Sequence, residues 1–132
     1  ESRLLDHMNR YLLISLGAVL GANARYLVGL WAAQRLGADF PYGTLLVNVS
    51  GSFVLGFLIA ALEGRLPIPS DLRFFLGVGF LGAFTTFSSF TVETLLLTRE
   101  AGLGLGLVNF FANNFAGLAA ALLGFGLAVS LG

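Results

Sequence analysis

Four long apolar stretches dominate this chain, and their length limits the folds it can adopt more than any other feature. They cover about residues 11–33, 44–62, 72–98 and 103–131. A helix that crosses a membrane needs about 20 mostly apolar residues. The second and fourth stretches contain no charged residue, the first contains only Arg25, and the third contains Arg73 and Glu93. The sequence therefore predicts an all-α membrane protein with four transmembrane helices.

The composition argues against several other classes of protein. The 132 residues are 57% hydrophobic and 11% charged, whereas soluble domains are about 25% charged. A soluble monomer of this size cannot bury so much apolar surface. Seven arginines are balanced by seven acids, which leaves no basic face for nucleic acid. The sequence has no cysteine, and its single histidine, His7, lies in the polar N-terminal stretch, so thiol and histidine chemistry are not expected.

The sequence is organised as a single domain. Short connections that contain Pro41, Pro67 and Pro69 separate the apolar stretches, and the fourth follows a tight turn after Arg99. Met8 is a candidate translation start. Residues 1–7 are therefore interpreted as an expression remnant or an upstream extension, and residues 8–132 as one four-helix transmembrane domain.

The arginines of the connections give little preference for one orientation in the membrane. Four helices place Arg3, Arg10, Arg65 and Arg73 on one side and two arginines, at positions 35 and 99, on the other. If Arg3 belongs to an expression remnant, one side of the membrane has three arginines and the other side has two. The positive-inside rule predicts orientation from the arginine and lysine bias of short loops. A bias of one residue does not fix the orientation, so the pattern fits either weak orientation or dual topology, in which copies insert both ways.

Glycines indicate close helix packing and a homo-oligomer. Gly17 and Gly21 form a GxxxG pair, and the fourth stretch contains further glycines. Small residues allow helix backbones to approach closely in membranes. Because four helices supply little wall for a polar path, a homodimer is the simplest expectation.

Polar residues form one stripe on the second predicted helix and another on the fourth. Thr44, Asn48 and Ser52 are spaced i, i+4, i+8, and so are Asn109, Asn113 and Gly117. This spacing places each set on one helix face. Intramembrane polar groups either bond to neighbouring helices or line a hydrated path, and both interpretations apply here.

The third stretch contains five hydroxyl residues within residues 85–91. Ser and Thr compete with helical backbone bonds, which predicts a broken helix; the alternative is an intact helix whose hydroxyls bond to the i−4 carbonyls. A break at membrane depth requires a buried or cavity-lining position. Phe87 and Phe90 lie beside these hydroxyls, and aromatic ring edges are electropositive. They therefore suit either a small anion or ordinary packing.

Two charged residues lie inside the predicted spans. Arg25 precedes the end of its stretch by about eight residues and can lie near a pore mouth, where it would attract anions or pair with an acid. Glu93 requires protonation, an arginine partner or water.

Together, these motifs resemble the Fluc (CrcB) family of fluoride channels over nearly the whole chain, from about residue 9. The resemblance rests on three strings: Gly17-x-x-x-Gly21-x-x-x-Arg25-Tyr26; Gly43-Thr44-Leu45-Leu46-Val47-Asn48-Val49-x-Gly51-Ser52-Phe53; and Gly79-x-x-Gly82-x-Phe84-Thr85-Thr86-Phe87-Ser88-Ser89-Phe90-x-x-Glu93.

The resemblance implies a passive fluoride channel of a bacterial inner membrane, built as an antiparallel, dual-topology homodimer with two pores. It implies a central structural Na⁺ held by the backbone carbonyls of Gly82 and Thr85. Arg25 and Glu93 correspond to charged positions that we assign to a pore mouth. The anion-binding positions that it implies are Asn48, Phe87, Phe90, Ser88, Ser89 and Thr44. The fourth helix departs from the usual Tyr and Ser pattern, and Asn109 and Asn113 are the corresponding pore candidates.

Three other functions fit the sequence less well. Small multidrug or guanidinium exporters are also short dual-topology dimers, but they use an acid in the first helix, where this chain has Arg25. A structural subunit would not require two polar stripes that converge on a helix break. An enzyme is not expected, because the predicted spans contain neither His nor Cys.

Overall fold

The computed structural model describes residues 1–64 and 66–132. Arg65, one of the arginines counted for orientation, lies outside the described residues. We number the helices α1 to α5 in chain order: α1 is Ser2–Leu36, α2 is Tyr42–Glu63, α3 joins Arg73–Leu81 to the turn Gly82–Phe84, α4 is Phe87–Ala101, and α5 is Leu103–Leu131.

Four spans among the described residues are long and apolar enough to cross a membrane: Ser2–Leu36, Tyr42–Glu63, Arg73–Ala101 and Leu103–Leu131. The third consists of α3 and α4 in succession. The predicted all-α class with four membrane-capable helices is confirmed. The fourth predicted span, 103–131, has the same bounds in the structure, and the second differs by no more than two residues at either end.

The first helix extends well beyond its predicted bounds of 11–33 at the N-terminal end. α1 begins at Ser2 and has 35 residues, which corresponds to about 50 Å at the α-helical rise. Residues 2–10 contain neither Gly nor Pro, so nothing in the local sequence stops the helix there. Because the hydrocarbon core is about 30 Å thick, a polar end of α1 extends beyond it.

The helices pack in two main pairs. α1 lies along α3, and α2 lies along the C-terminal half of α5, while α4 contacts the N-terminal part of α5. The α1–α3 contact is close because it is made at glycines: a Cβ on Gly17 would collide with the Phe75 carbonyl, and a Cβ on Gly21 would collide with that of Phe80. The predicted packing role of this GxxxG pair is therefore confirmed within the subunit.

Two segments are wound as π-helix, at Arg73–Leu81 in α3 and at Ala112–Ala116 in α5. Such segments are rare and commonly lie at functional sites. The tight turns after α1 and α4 contain Gly37 and Gly102, whose φ angles are 92° and 100°. Glycine adopts this conformation without steric cost.

Most large apolar side chains lie on the outer surface of the subunit. Leu123 is 69% exposed and Phe115 is 66% exposed, while the buried core contains small residues such as Ala61 and Ala128. Such a surface is unfavourable in water but matches lipid or another apolar partner.

Candidate functional site

The third span is interrupted between α3 and α4. Thr85 and Thr86 both have extended backbone angles (φ −84°, ψ 155° and φ −149°, ψ 123°). The hydroxyls of Thr85 and Thr91 nevertheless donate to the carbonyls four residues earlier, at Leu81 and Phe87. The run of hydroxyl residues therefore combines an interruption at two residues with helical back-bonding on either side.

Asn48 of α2 binds the backbone N–H and the carbonyl of Thr86 at the interruption. The Thr86 N–H donates to Asn48 Oδ1 (2.8 Å), and Asn48 Nδ2 donates back to the Thr86 carbonyl (3.0 Å). Nδ2 also donates to Asn113 Oδ1 on α5 (3.0 Å). The two amide hydrogens of Asn48 therefore both have protein partners. The interhelical bonding that the sequence left open for Asn48 is present, and its role toward an anion stays a prediction.

The N-terminus of α4 is capped within the site. The Thr86 hydroxyl accepts the Ser89 N–H (3.2 Å), so Thr86 is the N-cap residue of a 15-residue helix. N-terminal N–H groups and the helix dipole make such an end favourable for negative charge.

Arg25 lies beside the interruption, although its sequence position suggested a pore mouth. Its Nε donates to the Ala83 carbonyl (3.0 Å) at the C-terminal end of α3. A cation at a helix C-terminus offsets the partial negative charge of the free carbonyls. This contact joins residues that are distant in the sequence, so local spacing could not have predicted it.

The carbonyls of Gly82 and Thr85 lose their usual helical donors. The N–H four residues after Gly82 belongs to Thr86 and donates to Asn48. The N–H four residues after Thr85 belongs to Ser89 and donates to the Thr86 hydroxyl. The interruption therefore leaves two carbonyl oxygens with lone pairs available to a cation.

A cavity of about 270 Å³ borders the interruption, and we call it the amide cavity. Both aromatic candidates line it. Phe87 is 78% exposed and Phe90 is 6% exposed, with their rings 5.8 Å apart in an edge-on arrangement. The polar residues that line the amide cavity are Asn48, Ser52, Thr85, Thr86, Asn113 and Asn114.

Two further cavities lie next to the amide cavity and share lining residues with it or with each other. The arginine cavity, of about 400 Å³, is lined by Arg25, Tyr26, Thr86 and Ser89, together with the Thr44–Glu93 pair. The loop cavity, of about 360 Å³, contains that same pair and extends to the α1–α2 turn. Thr86 borders the first two cavities, and Thr44 and Glu93 border the last two. The three therefore form a series along the second and third spans.

Thr44 and Glu93 are hydrogen-bonded to each other. The Thr44 hydroxyl donates to Glu93 Oε1 (2.9 Å), while Glu93 Oε2 is buried without a protein partner among the described residues. Ser88 and Ser89 lie one turn before Glu93, and both line a shallow cavity with it. Ser88 is exposed and Ser89 half-buried, so their hydroxyls are accessible to an ion.

On α5 the two asparagine candidates bond mainly to protein groups. Asn113 lines the amide cavity and donates to the Asn109 carbonyl (3.0 Å). Asn109 is fully buried and donates to the Thr94 hydroxyl (2.9 Å). Thr94 was not among the residues that the sequence indicated. No local signal distinguishes it, because about half of the residues of α4 are polar and only the packing of α4 against α5 brings Thr94 to Asn109.

Comparison with known proteins identifies relatives over most of the chain. The family model described as CrcB-like protein, Camphor Resistance (CrcB), matches residues 12–125. The protein named fluoride-specific ion channel FluC from Anaeromyxobacter dehalogenans is 50% identical over 115 residues, which cover 86% of this chain and 90% of the relative. The FluC of Thermus thermophilus is 46% identical over 125 residues, covering 94% and 97%. That of Legionella pneumophila strain Paris is 45% identical over 114 residues, covering 86% and 85%.

Proposed function

The chain belongs to the CrcB family, and we infer that it is a fluoride channel whose conduction path follows the three adjacent cavities. It is a multi-pass membrane protein and not an enzyme. The observation that carries the path is the interruption of the third span, where Asn48, Phe87 and Phe90 border one cavity.

Fluoride is small and strongly hydrated, so a path for it must replace water with hydrogen-bond donors and positive dipoles. The N-terminus of α4 and the hydroxyls of Ser88 and Ser89 supply them near the interruption. The edges of Phe87 and Phe90 add weak positive potential without a fixed charge. Weak sites in series suit conduction, because an ion must leave each site as readily as it enters.

Asn48 contributes mainly through its hold on the interruption. Its amide hydrogens are engaged with Thr86 and Asn113, so we expect it to donate to fluoride only when Asn113 Oδ1 moves away. We expect Arg25 to increase the local fluoride concentration in the arginine cavity. Thr44 and Glu93 lie where this cavity meets the loop cavity, and we assign them to the entrance. Asn109 is too buried to meet the ion in this conformation.

We further propose that two subunits assemble as an antiparallel homodimer with dual topology and two pores. The exposed Phe87 supports this, because a pore-lining ring that is 78% exposed leaves the pore wall incomplete in one subunit. The near balance of loop arginines supports insertion in both directions. The expected location is a bacterial inner membrane, since the relatives named above come from bacteria.

A structural Na⁺ at the dimer centre is part of the same proposal. The Gly82 and Thr85 carbonyls would hold it, two from each subunit. Backbone carbonyls of interrupted helices are suitable Na⁺ ligands, and those at these positions have lost their helical donors. The Arg25 Nε–H donates to the Ala83 carbonyl, so the carbonyls of Gly82 and Thr85 are left for the ion. Bound Na⁺ would join the two interruptions.

Liposome efflux distinguishes the channel from the exporter alternative. Vesicles containing the protein, potassium fluoride and guanidinium are diluted into buffer that lacks both ions, at equal pH and, in a second series, with an imposed proton gradient, and valinomycin is added so that K⁺ can follow. We expect fluoride to leave at once, without a proton gradient, and guanidinium to stay inside. Fluoride retention combined with proton-driven guanidinium release would instead support the exporter.

Dual topology is testable because the chain lacks cysteine. Ala38→Cys places one thiol in the exposed turn between α1 and α2. With a membrane-impermeant maleimide applied to intact spheroplasts of cells that express the protein, we expect about half of the thiols to react, and all after permeabilisation. Labelling of nearly all or nearly none before permeabilisation would contradict dual topology.

A further inference from the structure

A continuous chain of hydrogen bonds runs from Asn48 through α5 to α4. Asn48 Nδ2 donates to Asn113 Oδ1 (3.0 Å), and Asn113 Nδ2 donates to Asn109 Oδ1 (3.1 Å). Asn109 Nδ2 donates to Thr94 Oγ1 (2.9 Å), which donates to the Phe90 carbonyl (2.7 Å). We call this the amide relay.

Backbone groups fix the direction of the relay. The Thr86 N–H must meet the oxygen of the Asn48 amide (2.8 Å), which orients that side chain. The Asn109 carbonyl accepts from Asn113 Nδ2 (3.0 Å), which orients the second amide. Every donor therefore points from Asn48 toward Phe90. Aligned hydrogen bonds in a low-dielectric interior polarise and strengthen one another.

Both ends of the relay are attached to the first turn of α4. Asn48 binds the backbone N–H and carbonyl of Thr86, and the Thr94 hydroxyl donates to the Phe90 carbonyl. Phe87 lies between these two attachment points. Asn109 is 0% and Asn113 8% exposed, so a broken link would leave a buried polar group without a partner, which is costly.

We propose that Thr94, acting through Asn109 and Asn113, is a positioning residue for conduction: the relay holds Asn48 and the first turn of α4 so that Phe87 and Phe90 keep their places in the pore wall. The role in conduction rests on the proposed fluoride function. The relay itself is a property of the fold. Thr94 would then govern fluoride flux without contacting the ion.

Three substitutions on α4 test the proposal. Thr94→Val keeps the shape and removes the hydroxyl, and we expect about a tenfold lower fluoride efflux. Thr94→Ser restores the hydroxyl and is expected to stay within about twofold of the unmodified protein. The matched control is Thr91→Val, because this exposed hydroxyl bonds only within its own helix. Equal losses in the Val and Ser variants at position 94, or no loss in either, would overturn the positioning role. If Thr94→Val does not assemble, Thr94→Ala carries the same comparison.

Side-chain amide resonances give a readout that does not depend on flux. In proton–nitrogen correlation spectra, we expect Thr94→Val to shift the side-chain amide signals of Asn109, Asn113 and Asn48, and Thr91→Val to leave them in place. Unmoved Asn113 and Asn48 signals would overturn the relay, whatever the flux. If Thr94→Val shifts these signals but the unmodified protein conducts no fluoride, the relay would be supported and the proposed function refuted.

Discussion

Replacing Asn48 by leucine is expected to abolish fluoride flux. The leucine would leave the N–H and carbonyl of Thr86 and the Oδ1 of Asn113 without their partner. Buried groups that lose a hydrogen bond cost about 1–3 kcal/mol each. Because the interruption between α3 and α4 depends on this side chain, we expect efflux from liposomes to fall by about 100-fold or more.

Two comparisons sharpen this experiment. Asn48→Asp keeps an acceptor for the Thr86 N–H, but it faces the Thr86 carbonyl and Asn113 Oδ1 with oxygen in place of a donor, so we also expect a large loss. Ser50→Ala is the control on the same helix, since its exposed hydroxyl bonds only to the Leu46 carbonyl. Normal flux from a correctly assembled Asn48→Leu variant would show that the Asn48–Thr86 contact does not support conduction.

The second large effect is expected at Gly124, where α5 contacts α2. A Cβ there would collide with the Phe53 carbonyl and lie 3.1 Å from the Phe57 nitrogen. Backbone atoms cannot rotate away, so the two helices must separate. We expect Gly124→Ala to destabilise the protein by about 1–3 kcal/mol and Gly124→Val to prevent assembly. The measurement is thermal unfolding of the purified protein in detergent, followed by size-exclusion chromatography.

Gly126→Ala provides the matched control. It lies two residues further along the same helix, and an added Cβ would have no neighbour within 4 Å among the described residues. We expect wild-type unfolding behaviour from this variant. Equal melting temperatures of the Gly124→Ala and Gly126→Ala variants would contradict the close α2–α5 contact.

Much of the architecture was predictable because it depends on local sequence. Four apolar stretches of sufficient length predict four membrane-capable helices, whereas the hydroxyl run left open a broken or an intact third helix. The N-terminal bound of α1 was wrong by several residues. Hydropathy marks the part of a helix that suits a membrane, while helix propensity continues through the polar residues before Tyr11.

The site was predictable in its composition and less so in its connections. The i, i+4 stripes identified Asn48, Asn109 and Asn113, and the structure brings all three into one relay. Their partners depend on how helices pack. Nothing in the sequence near Arg25 indicates the Ala83 carbonyl, and nothing near Thr94 indicates Asn109. Pairing therefore had to be observed, even where the residue types were anticipated.

The most direct test of the account compares fluoride and chloride efflux from liposomes that contain the purified protein. Ion-selective electrodes measure both anions after valinomycin is added to vesicles loaded with equal amounts of the potassium salts. A path of weak donors around Phe87 and Phe90, with Arg25 in the neighbouring cavity, is expected to release fluoride rapidly and to retain chloride. Equal release of both anions, or retention of both, would contradict it.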